Sequence, residues 1–269
     1  MSTVRSETCS PFSNGAGMNK KRIKMILPIA LPAAALGNFA VQIPEALRRP
    51  DIAIDFVGCR AGATTMDSAY ESTLADAFVL DAGATAEMEG YDAVCSFSMS
   101  DSGVAALRSR LSIPVIGAGQ SALALAAQIG HRFSVITMWE PWRQHVLENV
   151  AKYGLAAKLA SVRHINVRPN TQELLAGKEH FIFGVLETAA KEAITGDGAD
   201  VIVLGSTTMY QAYAHLAAAL PCPVVSPGLA AYKACETLLD LGLAHSKLAY
   251  PAPESTCDSL FHSVPRIFS

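Results

Sequence analysis

The sequence predicts an α/β protein: two similar domains with parallel four-stranded sheets, pseudo-twofold related, with a cleft between them. Three observations carry this expectation. Short apolar, β-branched runs alternate with Ala- and Leu-rich runs along the chain, the pattern of a parallel sheet flanked by helices. The apolar runs are continuous rather than alternating, as strands buried on both faces are. Finally, one strand–helix unit occurs twice. Tyr91–Gly117 (YDAVCSFSMSDSGVAALRSRLSIPVIG) and Ala199–Gly228 (ADVIVLGSTTMYQAYAHLAAALPCPVVSPG) each place an Asp (Asp92, Asp200) before an apolar strand. Each reaches a serine six residues after that Asp (Ser98, Ser206), enters an Ala/Leu helix and closes on a Pro-Val pair.

Taken in order, residues 1–19 are polar and rich in Ser, Gly and Asn, and read as a flexible N-terminal segment. The strands expected are Ile23–Leu27, Ile52–Val57, Ala93–Phe97, Val115–Ile116, Phe133–Thr137, Ser161–Asn166, Val201–Leu204 and Val224–Val225. Helical runs lie between them at Tyr70–Gly83, Ser102–Arg110, Ser121–Ile129, Arg143–Tyr153, Glu179–Thr195, Tyr210–Ala219 and Ala230–Leu241. Gly83, Gly130, Gly154 and Gly242 stand where helix C-caps belong. Ile26–Val41 is apolar but short, and contains Pro28, Pro32, Gly37 and Asn38. It reads as a strand plus a helix start rather than a signal or a membrane span. The repeat suggests a first domain of residues 20–118 with a return at 228–250, a second at 119–227, and a tail at 251–269 wrapping the surface.

A chain of 269 residues, 51% hydrophobic and 17% charged, has ample material for a core. Its formal net charge of −3 and lack of a basic run argue against nucleic acid and anionic membranes as partners. The six cysteines are scattered without a CxxC pair, which fits reduced, mostly buried thiols in the cytoplasm rather than disulfides or a zinc site. A small-molecule substrate, no metal, no cofactor and a homo-oligomer are expected.

Ligands of open parallel sheets bind beyond the carboxyl ends of the strands. Ser98 and Ser206 end equivalent strands, so two facing halves put them on opposite walls of one cleft; the alternative is that both only cap helices. Around them, Met99, Ser100, Thr207 and Thr208 are candidate substrate contacts, the last two through hydroxyls and N–H groups at a helix start. Arg60–Thr65 is a small-residue loop in which Thr64 and Thr65 would meet a ligand, or else an ordinary connection. Thr137 and Trp139 end the first strand of the second half, where Trp139 either walls a cyclic substrate or packs a helix start. Gln120 lies in Gly117–Ala122, which fits GxGxxA with Glu140 about twenty residues on; this nominal dinucleotide fingerprint makes a nicotinamide oxidoreductase a rival reading. Seven histidines are available as bases. His180, at a helix start, is the one picked out, with a surface cap as its alternative. Cys95, inside a strand, reads as a buried inert thiol.

Asp92–Val104 (DAVCSFSMSDSGV) resembles the hydantoin-racemase segment in which a strand ends in a catalytic Cys, followed by an aromatic, Gly, Asp, a variable residue and Gly. Ser98 occupies the Cys position, and Asp101 and Gly103 match. Ile113–Gly130, His131–Thr137, Tyr153-Gly154-Leu155 and Ser161-Val162-Arg163 are similar to the same family. Val201–Met209 (VIVLGSTTM) resembles its second Cys strand, with Ser206 at the Cys position. The resemblance to the aspartate/glutamate/hydantoin racemase superfamily runs from Ile23 to Pro251. Two departures stand out: the family's Asn-Pro-Asn-Thr loop is here Leu27-Pro28-Ile29-Ala30, and Ser226 replaces the usual Asp before Pro227.

The resemblance implies racemase or isomerase chemistry on a small carboxylate or cyclic amide, in which one group removes a proton from an acidic carbon and another delivers one on the opposite face. A hydroxyl titrates several units above a thiol; five units would cost roughly 7 kcal/mol, about 10⁵ in rate. The serines therefore leave open a serine-dependent hydrolase or decarboxylase, a racemase inactivated by Cys-to-Ser exchange, and a non-catalytic ligand-binding relative.

Overall fold

The computed structural model describes residues 20–169 and 182–268. Its eight strands form two four-stranded parallel sheets. The first contains β1 (Lys21–Ile29), β2 (Ile52–Ala63), β3 (Ala93–Ser96) and β4 (Val115–Gly117) in the order β2-β1-β3-β4. The second contains β5 (Phe133–Thr137), β6 (Leu159–His164), β7 (Val201–Leu204) and β8 (Val224–Val225) in the order β6-β5-β7-β8. The two orders are the same under a shift of four strands, so the sequence repeat is a repeat of topology. No helix among the described residues is long and apolar enough to cross a membrane.

The repeated aspartates set the register. The Asp92 N–H donates to the Arg22 carbonyl (2.8 Å), and its carboxylate accepts from the Arg22 N–H (2.9 Å). The Asp200 N–H donates to the Arg132 carbonyl (2.8 Å), and its carboxylate accepts from the His131 and Arg132 N–H groups (2.9 and 3.0 Å). Each Asp thus clamps the start of the neighbouring central strand, aligning Ile23 with Ala93 and Phe133 with Val201. With the starts matched, the two strands run out at matching places, just before Ser98 and Ser206.

The helices are α1 (Ala33–Ala40), α2 (Ala69–Gly83), α3 (Val104–Arg110), α4 (Ala118–Ile129), α5 (Trp142–Lys152), α6 (Phe183–Asp197), α7 (Ala212–Ala219) and α8 (Pro227–Leu241). After the second sheet the chain returns to the first: Ala231, Tyr232 and Cys235 of α8 join Ile23, Met25, Cys95 and Ile116 in one buried cluster. The tail packs on β2 and α2: the Ile267 N–H donates to the Arg60 carbonyl of β2 (2.9 Å), and Phe261 meets Phe78 of α2 (5.9 Å between ring centres).

Three local expectations need correction. Arg60–Ala63, read as loop, is strand. Pro28 offers no N–H, so the β1–β2 register shifts between Leu27 and Ile29, and pairing then resumes at Ile29 with Ala63. Gly83 falls inside α2, which Ala84 caps; Gly130 does cap α4, in extended rather than left-handed backbone (φ −140°), and Gly242 caps α8 in the left-handed conformation (φ 63°). The start of α4 lies three residues earlier than expected, at Ala118 rather than Ser121, because Asp101 caps it.

That cap joins the two halves. Asp101 is buried and left-handed (φ 52°). Its carboxylate accepts from the Gly119 N–H (2.8 Å), the Gln120 N–H (2.7 Å) and the Tyr153 hydroxyl (2.7 Å). A Cβ on Gly117 would lie 2.4 Å from Asp101 Oδ1, and one on Gly119 would lie 2.5 Å from the Met99 carbonyl oxygen. The two glycines of the GxGxxA run therefore make room for an internal carboxylate, and the N–H groups that would meet a pyrophosphate are already bonded to it. Burial raises the Asp101 carboxyl to about 6, against the pull of its three donors.

Two outcomes follow. Gly119→Ala forces a close contact in a packed region and is expected to destabilise by about 1–3 kcal/mol, read as a lower urea midpoint. For Asp101, the native carboxyl at about 6 against an ordinary 3.8 means the native state holds more protons between those values. Its contribution to stability therefore falls as pH rises through roughly 4 to 6. Asp101→Asn should remove that slope. Unfolding free energies of parent and variant across the window test this, and parallel curves would refute it.

Candidate active site

A cavity of about 110 Å³ opens where the carboxyl ends of β1, β3 and β7 converge. At roughly 10–15 Å³ per water, that is space for several waters or one small molecule. Leu27, Pro28 and Ile29 of β1 form one wall with Leu31 and with Phe39 of α1. Thr64–Met66 cover it from the end of β2, Phe97–Ser100 come from β3, and Gly205–Thr208 come from β7. Trp142, His145 and Val146 of α5 close it, with Pro169 at the rim. The walls are mostly apolar, with a few convergent polar groups, the usual make-up of a small-molecule site.

Ser98 and Ser206 both line this cavity, and their surroundings match. Ser98 Oγ accepts from the Ser100 N–H (3.3 Å) and the Ser100 hydroxyl (3.0 Å), which also contacts the Ser102 hydroxyl (2.9 Å). Ser206 Oγ accepts from the Thr208 N–H (3.2 Å) and pairs with the Thr208 hydroxyl (2.8 Å). In each half the residue two positions on turns back to its serine. Such donors hold each oxygen in place and favour negative charge on it. The two strand ends also touch directly: the Thr207 hydroxyl donates to the Phe97 carbonyl (3.3 Å).

Met99, Ser100, Thr64, Thr65, Thr207 and Thr208 also line the cavity. Thr64 and Thr65 do so with their polar groups engaged. The N–H groups of Thr64 (3.2 Å), Thr65 (2.8 Å) and Met66 all donate to the Glu71 carboxylate, as do both threonine hydroxyls. These hydrogen bonds hold the Glu71 carboxyl near 2 although burial pushes it up. The loop is an anion nest filled by its own chain, so the polar groups of Thr64 and Thr65 expected to meet a ligand are already bonded to Glu71.

Three expected contacts lie elsewhere. Gln120 Oε1 accepts from Arg108 (2.6 Å) in a separate groove beside α4 and α8. Thr137 is fully buried behind Gly205, where a Cβ would lie 2.6 Å from its own. Trp139 packs into the second-sheet core with the Arg168 guanidinium 5.5 Å from its ring centre. His180 lies outside the described residues. Ser226 also faces the separate groove, so that departure from the family pattern does not reach the cavity. The change of Asn-Pro-Asn-Thr to Leu27-Pro28-Ile29-Ala30 does reach it and makes that wall apolar.

Trp142 and His145 are the contacts that sequence reasoning did not select. Trp142 Nε1 donates to the Thr65 carbonyl (2.8 Å), His145 Nε2 bonds the Met66 carbonyl (2.8 Å), and Asn149 Nδ2 donates to the Met99 carbonyl (2.8 Å). Their signal was the spacing 142, 145, 149 on an amphipathic helix, one face in which three side chains carry N–H donors. Among the described residues no thiol lines the cavity. Cys95 is fully buried in β3, and burial beside Cys235 pushes it far up; Cys59 is pushed to about 12 by burial and by Asp81.

Comparisons with known proteins agree with this geometry. The family described as Asp/Glu/Hydantoin racemase matches residues 38–235. A hydantoin racemase of Pseudomonas sp. (strain NS671) is 29% identical over 236 residues, 87% of this chain and 92% of that one. A hydantoin racemase of Paenarthrobacter aurescens is 30% identical over 188 residues, 69% and 78% of the two chains. Among solved structures, allantoin racemase from Klebsiella pneumoniae superposes with a TM-score of 0.78 at 26% identity, covering 88% of this chain and 95% of that one. An arylmalonate decarboxylase mutant shares the fold at 18% identity, covering 86% of this chain and 97% of that one, with a TM-score of 0.60. With its two sheets in repeated order and its family match spanning most of the chain, the protein belongs to the Asp/Glu/hydantoin racemase family.

Proposed function

We propose that the protein is a cofactor-independent racemase or isomerase that exchanges the proton on an acidic carbon of a small cyclic amide of the hydantoin class. The observation that carries this reading is the pair of serines at repeat-equivalent strand ends in one small, mostly apolar cavity. The activities named for the relatives, hydantoin and allantoin racemases, support the same chemistry. An apolar β1 wall suits an uncharged ring better than a free amino acid, whose ammonium and carboxylate would lose their hydration there.

In this reading Ser98 and Ser206 act as hydrogen-bond donors to ring oxygens. When a proton leaves the acidic carbon, charge builds on the adjoining carbonyl oxygen, and a placed O–H stabilises it most at that moment. The serines are poor bases, for the reason already given. A serine nucleophile is the weaker reading, because among the described residues neither serine hydroxyl is bonded to an imidazole that would activate it.

The test is deuterium wash-in to 5-substituted hydantoins and allantoin in deuterium oxide. Slow exchange is expected from the unaltered chain. Ser98→Ala and Ser206→Ala should each lower it about 10²-fold, the typical effect of removing one such donor. Ser98→Cys combined with Ser206→Cys should raise it, since thiols titrate several units lower. Ring opening or carbon dioxide release without exchange would put the hydrolase or decarboxylase reading ahead.

A further inference from the structure

Among the described residues the cavity is lined by hydroxyls, thioethers, aromatic rings and aliphatic groups, and by one imidazole, that of His145, a side-chain type suited to proton transfer. Hydroxyls alone leave a proton-exchange site without a base near neutral pH, and the structure places an imidazole in the wall.

Its orientation follows from its partner. His145 Nε2 lies 2.8 Å from the Met66 carbonyl oxygen. A carbonyl only accepts, so Nε2 carries the hydrogen and Nδ1 of the neutral ring holds the lone pair. Nδ1 has no protein partner among the described residues. The Met66 peptide is held in turn, since its N–H donates to the Glu71 carboxylate. A carboxylate thus positions the imidazole through one peptide group, much as an outer carboxylate fixes the tautomer of a working histidine. On the other side, Trp142 and Asn149 pin α5 to the Thr65 and Met99 carbonyls. The elements around the ring also carry Asp67, Arg143, Glu148 and Arg168.

We propose that His145 is the proton-transferring base of this site, an assignment that rests on reading the cavity as a proton-exchange centre. Nδ1 takes the proton from the acidic carbon. The C–H electron pair passes into the adjoining carbonyl, and the enolate oxygen accepts from the Ser98 or Ser206 hydroxyl. The imidazolium exchanges that proton with water and returns one to the same face of the carbon, which gives wash-in with retention. Alternatively, water on the opposite face protonates the carbon and recovers a proton from the imidazolium, which inverts the centre. General bases of this kind contribute roughly 10²–10⁴-fold.

His145→Gln keeps an N–H donor for the Met66 carbonyl and removes the basic nitrogen. Deuterium wash-in is expected to fall about 10²-fold or more in kcat, with KM little changed, and the acidic limb of the pH–rate profile should disappear. In the full chain with ¹⁵N-labelled imidazole, the neutral His145 ring should be the Nε2–H tautomer. Several results would overturn the assignment. Exchange in His145→Gln equal to the parent, or reduced with the acidic limb intact, removes His145 and leaves the exchange function standing. A neutral Nδ1–H ring removes it whatever the activity. A parent chain that exchanges none of the ring substrates removes the functional reading and the base together.

Discussion

Asp101 sits beneath the loop that carries Ser98, and its three hydrogen bonds reach forward into α4 and across to Tyr153. A carboxylate with almost no access to water is costly unless donors surround it, and here two helix N-terminal N–H groups and a phenol do so. The helix dipole adds to their effect. The left-handed backbone of Asp101 and the absent side chains of Gly117 and Gly119 are what this seat requires. Without it, the Ser98–Ser102 turn would have no fixed relation to the second half of the molecule, and the cavity has one wall in each half.

The second constraint is the clamp over the cavity. Thr64–Met66 is held from within by Glu71 and from across the cleft by Trp142 and His145. The N–H groups of the loop face a carboxylate of their own half, and its carbonyls face donors of the other. A three-residue segment is thereby tied on both edges, which leaves little freedom for the β2 end of the site. Apolar walls of Leu27, Ile29, Phe39 and Phe97 then surround a handful of hydroxyls and, among the described residues, one imidazole. Polar contacts to a ligand count for more in such surroundings than in water.

The paired arrangement of Ser98 with Ser100 and of Ser206 with Thr208 is also a consequence of the repeat. Two strands with matched starts and a shared turn geometry deliver two hydroxyls to one space. Relative to the thiols that the family resemblance implies at these positions, hydroxyls keep the hydrogen-bonding capacity and lose most of the acidity. The chemistry then has to draw its base from another element, and α5 is the element that the second half presents.

The two four-stranded parallel sheets and the place of both serines at equivalent strand ends were legible in the sequence because they depend on local patterns: apolar strand runs, a repeated Asp-strand-Ser unit, and helix boundaries good to a few residues. Contacts that depend on which groups bond across the chain were not. Thr64 and Thr65 look available until Glu71, six or seven residues on, fills their nest. The GxGxxA run reads as a phosphate loop until Asp101 enters it. Thr137 and Trp139 follow the end of a central strand, yet Gly205 seals off the first and Arg168 draws the second into the core. His145 is one of seven histidines in the sequence, and only the packing of α5 over the ends of the other half's strands makes it the one in the wall. Periodicity in the chain determines which face of an element is buried, whereas long-range hydrogen bonding decides which of its polar groups remain free for chemistry.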